Sequence, residues 1–245
     1  MILGLIPSRL NSKRLKEKPL LLIDNLPIIV HTLKRAKLSK KLDEVIVCTD
    51  HQKIVDEIVK HGGKAILTSK KHKNGTERIY EVAKKFKKIE LVVDIQGDQP
   101  LIDPSAIDKT IEFHKKNKNF DIVLPSMPIK NDVDNRNLVK AVFTKNGKLI
   151  YFSRAKTPFN YKNKNITYYK NLSIISFKPE ALKKFYFSKM SQIEKIEGIE
   201  LMRALENNLS IGSFPIKGND FAVDVNEDLM KAIDVMPRDK IRNLY

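Results

Sequence analysis

The chain has 245 residues, 42% hydrophobic and 31% charged, a balance that suits a soluble globular protein with an ordinary core. No apolar run approaches the roughly 18 residues of a membrane span, and Met1-Ile2-Leu3-Gly4-Leu5-Ile6-Pro7 carries no charged leader, so the expected setting is cytoplasmic, with no membrane partner. The formal charge of +17 points weakly at nucleic acid: only nine of the 46 basic residues are arginine, the lysines are scattered over nearly every predicted helix, and few aromatics interleave with them, so a solvated surface is expected.

The first two-thirds of the chain alternates strands with helices. Residues 3–7 read as a strand and 27–37 as a helix opening on proline. Residues 45–49 form the next strand, in which Cys48, the single cysteine, reads as a small buried residue and excludes an intrachain disulfide. A helix over 52–61 has Ile54, Val55, Ile58 and Val59 on one face and ends at Gly62-Gly63. A short strand at 65–68, a helix over 76–87, a buried strand at 91–95 and a helix over 104–116 follow. This alternation predicts an α/β fold with a mostly parallel sheet covered on both faces.

Beyond a strand-like stretch at 121–129 the pattern changes. Strands at 138–144 and 149–153 flank Lys145-Asn146-Gly147-Lys148, a hairpin signal. Residues 159–169 form a polar and aromatic arm; 172–177 reads as a strand, 179–186 as a short helix and 194–206 as a longer one. A strand at 211–215 and a helix over 226–236, with Asn226 as its N-cap, close the chain. The expected organisation is a single domain over 1–245, with 130–215 forming a smaller mixed lobe.

Two segments carry the features of a ligand site. Val92-Val93-Asp94-Ile95-Gln96-Gly97-Asp98-Gln99-Pro100 is an apolar strand emptying into a glycine and a carboxylate. Ligands of open α/β sheets bind beyond the carboxyl ends of the strands, which is where Asp98 falls. The loop after the first strand carries Arg9, Lys13, Arg14 and Lys18, cations suited to phosphate oxygens. It lacks the glycines and the Gly-Lys-Ser/Thr ending of a Walker loop, and by composition alone it reads equally as a solvated basic surface.

Six segments in order resemble a known family. Ile6-Pro7-Ser8-Arg9, Ser12, Arg14-Leu15 and Lys18-Pro19-Leu20 follow its opening I-P-A-R-x-x-S-x-R-L-x-x-K-P-L. Cys48-Thr49-Asp50, Asn74-Gly75-Thr76-Glu77-Arg78, Gln96 to Pro100, Tyr151-Phe152-Ser153-Arg154 and Val223-Asp224-Val225-Asn226-Glu227-Asp228-Leu229 complete the set. The chain resembles the 3-deoxy-manno-octulosonate (KDO) cytidylyltransferases, or CMP-KDO synthetases, from Ile6 to about Leu229.

The resemblance implies a Rossmann-like nucleotide-diphospho-sugar transferase fold and a homodimer. It implies CTP along Arg9, Arg14 and Lys18, with Asn74, Gly75 and Arg78 contributing to the nucleotide pocket. Asp98 and Asp224 would hold Mg²⁺, and Arg14, Lys18 and Asp98 would carry catalysis. The reaction implied is attack of a sugar acid's anomeric hydroxyl on CTP, releasing pyrophosphate and supplying lipopolysaccharide assembly. Gln96, Asn171, Ile175 and Glu200 would line the sugar side.

The chain departs from the family on that side. Asn171 and Ile175 stand where the family has histidine and tyrosine, and Leu201 replaces a glutamine. Loss of groups that meet a substrate hydroxyl can change which sugar is accepted. The 8-amino analogue of KDO and another ulosonic acid therefore remain open alternatives, as does a non-catalytic nucleotide- or nucleic-acid-binding module. His51, His61, His72 and His114 have no metal-ligand spacing and read as surface histidines, whereas His31 reads as packed within the first helix. Phe185-Tyr186-Phe187 is expected to pack the lobe or a subunit contact.

Overall fold

The computed structural model describes residues 1–12, 14–129, 131–162, 165–217 and 221–245. The chain divides into two units, Met1–Lys109 with Asn219–Tyr245, and Thr110–Gly218.

The first unit is built on β1 (Ile2–Ser8), whose seven residues are all buried. Such a run, without alternation, is the pattern of a strand covered on both faces. A small hairpin of β2 (Leu22–Ile23) and β3 (Leu26–Pro27) turns through Asp24 and Asn25, both at positive φ, and delivers the chain into α1 (Ile28–Lys37). There follow β4 (Glu44–Thr49), α2 (Gln52–Lys60), β5 (Lys64–Leu67), α3 (Gly75–Ala83) and β6 (Leu91–Ile95). The strands lie in the order β5-β4-β1-β6 and every pair is parallel, as the βα alternation predicts. Cys48 is wholly buried in β4, and burial pushes its thiol well above the ordinary range. The helix expected over 76–87 stops at Ala83; Lys88, at positive φ, turns the chain toward β6. The division between the units falls inside α4 (Pro104–Lys116).

The second unit contains β7 (Ile122–Pro128), β8 (Lys140–Phe143), β9 (Leu149–Ser153), β10 (Tyr169–Asn171), β11 (Ile174–Phe177), α5 (Pro179–Phe187), α6 (Gln192–Glu197), α7 (Met202–Glu206) and β12 (Ile211–Pro215). β12 runs parallel to β7, while the pairings β7–β10, β7–β11, β8–β10 and β8–β9 are antiparallel, so this unit is mixed. The β8–β9 hairpin closes on Gly147 at φ 82°, the left-handed conformation its sequence signal requires. Of the arm expected over 159–169, Asn163 and Lys164 lie outside the described residues, and Tyr169 opens β10.

Four expectations are corrected by local structure. The strand expected over 172–177 starts only at Ile174, and β10 stands before it: Asn171 pairs with Ser126 and Ser176 with Val123, so five steps on one chain match three on the other. The surplus forms a bulge at Leu172-Ser173. The helix expected over 194–206 breaks at Gly198, whose φ of 62° ends α6. Asn226 is not the N-cap of α8 (Asn226–Val235); Val225 holds that position, and Asp228 Oδ2 accepts from the backbone N–H groups of Asp224 and Val225. His114 is buried rather than exposed, accepting from the Ser176 hydroxyl at Nδ1 and donating from Nε2 to the Phe120 carbonyl.

His31 is buried as expected, with Nε2 donating to the Ile23 carbonyl at 2.7 Å and Nδ1 accepting from the Tyr245 hydroxyl at 2.9 Å. Burial outweighs the pull of the carbonyl and lowers His31 to about 4; His114 falls to about 4 for the same reason. A histidine that is neutral when folded and titrates near 6.5 when unfolded makes the unfolded chain bind more protons between those values. Stability is thus expected to fall as pH drops from about 6.5 toward 4, by at most roughly 1.4 kcal/mol per pH unit for each histidine. Urea denaturation at pH 7, 6 and 5 measures this, and His114→Gln should flatten the slope. Equal slopes in wild type and variant would contradict it.

Candidate active site

The carboxyl ends of β1 and β6 carry the site. β1 ends at Ser8, and Arg9 immediately beyond it is exposed, with no hydrogen bond or ion pair among the described residues. Lys13 lies outside the described residues. The loop then buries Leu10, whose N–H donates to Asp50 Oδ1 at 3.2 Å. It settles into a helical turn over Lys18–Leu20, with Pro19 buried. That turn brings the Lys18 ammonium, 14% exposed, between two carboxylates: Asp98 Oδ2 at 2.7 Å and Asp224 Oδ1 at 3.2 Å. Arg14 Nη2 reaches the same Asp224 oxygen at 2.8 Å from a largely exposed side chain.

Three distant parts of the chain meet here, and backbone packing sets their approach. A Cβ on Gly97 would stand 2.8 Å from the Pro7 carbonyl oxygen and 3.0 Å from Ile29, so only glycine lets the Asp98 turn lie against the end of β1. The Asp98 carbonyl accepts from the Val223 N–H at 2.9 Å, which sets Asp224 beside Asp98. Val223 is wholly buried with Ile23, Ile28, Ala232 and Met236, so apolar packing of α8 against α1 fixes this strand of chain.

A second group surrounds the start of α3. Asn74 caps it, its side chain accepting from the Glu77 N–H at 2.8 Å. A Cβ on Gly75 would meet Pro7 at 3.1 Å, so α3 begins close against the end of β1. Gln96 Nε2 donates to both oxygens of the buried Asp94 at 3.0 Å. Arg78 is buried; Nη1 donates to Thr68 Oγ1 at 2.5 Å and Nη2 to Asp50 Oδ2 at 3.2 Å. Asp50 thereby ties the Leu10 backbone to Arg78. The sequence displayed Asp50 within a motif but gave it no task, because its two partners are 40 and 28 residues away.

In the second unit Asn171 ends β10, its N–H donating to the Val139 carbonyl at 3.1 Å, and Ile175 lies half-buried in β11. Glu200 is half-buried in the turn between α6 and α7, and the neighbouring Leu201 is buried.

The chemistry of the first unit's cluster is that of hard anions and their counter-charges. Two carboxylates converge on one point filled by an ammonium, a donor set of oxygens that a small divalent cation would equally satisfy. Among the described residues no three His, Cys, Asp or Glu side chains are grouped to hold a metal. Any ion at this pair would complete its shell with oxygens of water or substrate.

A family model described as cytidylyltransferase matches residues 3–211. A 3-deoxy-manno-octulosonate cytidylyltransferase of Fusobacterium nucleatum is 38% identical over 98% of both chains. The chain belongs to the 3-deoxy-manno-octulosonate cytidylyltransferase family. It is also similar to an 8-amino-3,8-dideoxy-manno-octulosonate cytidylyltransferase of a Shewanella species, 35% identical over 94% of this chain and 96% of that one. A solved CMP:2-keto-3-deoxy-manno-octonic acid synthetase complexed with CTP superposes with a TM-score of 0.93, covering 97% of this chain and 98% of that one at 27% identity. The fold is accordingly the nucleotide-diphospho-sugar transferase fold, and the chain is a nucleotidyltransferase.

For this cytidylyltransferase the fit of Gly97 against Pro7 is directly testable. Gly97→Ala is expected to destabilise the protein by about 1–3 kcal/mol, the scale of overpacking in a tight site, and to lower turnover. Urea denaturation and a steady-state assay measure both. A stability change below about 0.5 kcal/mol, the range of ordinary surface substitutions, would show that the close approach is not constraining.

Proposed function

We propose that this enzyme transfers CMP from CTP to the anomeric hydroxyl of a 3-deoxy sugar acid, in the first instance KDO, and releases pyrophosphate. The observation that carries the reading is the convergence of Lys18, Arg14, Asp98 and Asp224 at the carboxyl end of a parallel sheet, in a chain so similar to KDO cytidylyltransferases. The unpaired guanidinium of Arg9 and the exposed Arg14 bind the triphosphate, each offering a fork that matches phosphate oxygens. Lys18 adds a point charge beside the two carboxylates and stabilises charge on the phosphates as the α–β bond breaks. Asp98 and Asp224 would hold Mg²⁺ once Lys18 turns from them to the phosphates, and the ion would supply neutralisation of phosphate charge and favour loss of the sugar hydroxyl's proton. The anomeric oxygen forms a bond to the α-phosphorus, the bond to the β-phosphate oxygen breaks, and the proton passes to solvent. No covalent intermediate on the chain is needed, since positioning and charge account for such transfers.

Asn74 supports the nucleotide pocket by capping α3, Arg78 by holding Asp50 and through it the loop after β1, and Gly75 permits close approach there. Gln96, Asn171, Ile175 and Glu200 serve the sugar acid. The same reading makes the enzyme a cytoplasmic homodimer that supplies lipopolysaccharide assembly, with exposed Phe159, Tyr161 and Phe187 on the second unit as candidate contact residues. Phe185, on the same helix as Phe187, is buried and packs within the unit.

Asp98→Asn and Asp224→Asn should each reduce turnover by at least about a hundredfold, the scale of removing a group that stabilises transition-state charge, with unchanged circular dichroism. Titration of Mg²⁺ against turnover should show a raised requirement in any residual activity. Near-normal turnover of either variant at limiting Mg²⁺ would remove that carboxylate from the metal site.

The 8-amino sugar is the second reading, supported by the similarity to the Shewanella relative and by Asn171 and Ile175 in place of the family's histidine and tyrosine. Turnover with KDO, its 8-amino analogue and a nine-carbon sugar acid ranks the substrates. Asn171→His is expected to change that ranking more than it changes the KM for CTP. An unchanged ranking with an altered CTP KM would take Asn171 out of the sugar site.

A further inference from the structure

The second unit contains a clamp at the end of α6, just before the turn that carries Glu200. α6 ends at Gly198, and its last carbonyls need partners, as at any helix end. Arg154, at the end of β9, supplies them: Nε donates to the Glu197 carbonyl at 2.8 Å and Nη2 to the Gly198 carbonyl at 3.1 Å. The grip is reciprocal, because the Glu197 carboxylate accepts from the Arg154 N–H at 2.9 Å and from the Ser153 hydroxyl at 3.0 Å. Nη1 of Arg154 is also engaged, by the Arg136 carbonyl at 2.9 Å. Every nitrogen of the guanidinium thus faces a backbone carbonyl. Arg154 is itself fixed from behind, its carbonyl accepting at 2.9 Å from Lys140, a wholly buried lysine that also donates to the Asn135 carbonyl.

The far side of the same turn is held by a buried ion pair. Arg203, in α7, donates to Glu194 of α6 at 2.6 and 2.7 Å, and its guanidinium lies 4.9 Å from the Phe185 ring centre. A buried pair of this kind contributes little net stability beyond what apolar residues of similar size would give. What the bidentate fork does supply is a fixed geometry between its two helices. The helix break at Gly198 and these two arginines hold both flanks of residues 199–201, and the Glu200 carbonyl accepts from the Arg203 N–H at 3.1 Å.

We propose that Arg154 is a positioning residue for the sugar acid, holding the end of α6 by the Glu197 and Gly198 carbonyls so that Glu200, two residues on, keeps one orientation toward the substrate. The proposal rests on the reading of Glu200 as a sugar contact. It explains the arginine of the Tyr151-Phe152-Ser153-Arg154 segment without any direct contact to substrate.

Four variants of the full-length enzyme test it: Glu200→Gln, Arg154→Met, Arg154→Lys, and Glu200→Gln combined with Arg154→Met. Glu200→Gln should raise the KM for KDO about tenfold or more and leave the KM for CTP within about twofold. Arg154→Met should show the same split, and in the Glu200→Gln background it should add less than about twofold, because both changes remove one function. Arg154→Lys, which keeps the charge and part of the carbonyl contact, should recover some of the loss. It should also show faster amide exchange over residues 198–203 than wild type, a readout that survives if the methionine variant fails to fold. A sugar KM unchanged in Arg154→Met, equal rises in both KM values, or a full additional effect in the double variant would overturn the proposal. If Glu200→Gln alone leaves the sugar KM unchanged, the assignment of Glu200 as a sugar contact fails instead.

Discussion

Two carboxylates do not rest beside one another without a cation, and the architecture of the first unit supplies Asp98 and Asp224 with one. Lys18 lies between them, within hydrogen-bond reach of both and mostly shielded from solvent. Its seat depends on Gly97, which lets the Asp98 turn lie against β1, and on the Val223 N–H, which pins the second aspartate to the first. The apolar packing of Val223, Ala232 and Met236 against Ile23 and Ile28 then keeps α8 in place. A charge cluster for phosphate chemistry is in this way a product of backbone fit and core packing.

The features legible in the sequence were those with local causes. Parallel strands announce themselves as unbroken apolar runs, and β1, β4 and β6 fall where the runs predict, as does β12. Glycine at a left-handed position was readable in the β8–β9 hairpin. The misreadings came from features whose cause is distant. One glycine inside a periodic pattern was not enough to show that α6 and α7 are separate helices. The bulge between β10 and β11 is a matter of register with β7, which no single strand reveals. His114 looked exposed on a polar helix because its partners, Ser176 and Phe120, are supplied by folding.

The site divides along the same line. Arg9, Arg14, Lys18 and Asp98 could be suspected from position alone, since they follow strands of an α/β sheet. Asp224 could be paired with Asp98 only through resemblance to a family, as 126 residues separate them. Arg78 and Asp50 show the limit most plainly: a motif arginine that could have met a nucleotide is buried against Thr68 and Asp50, where it organises the loop bearing Arg9. A side chain's partners, and hence its work, are set by tertiary contacts that composition and spacing do not encode.

The central claim is that phosphate and sugar chemistry are joined in one reaction, and phosphorus NMR tests it most directly. The purified protein is incubated with CTP and Mg²⁺, with and without KDO. The account predicts that the CTP resonances are replaced, only when KDO is present, by equal amounts of pyrophosphate and a new CMP phosphodiester. Pyrophosphate released at the same rate without any sugar acid, or CTP left intact with every sugar acid tried, would contradict it.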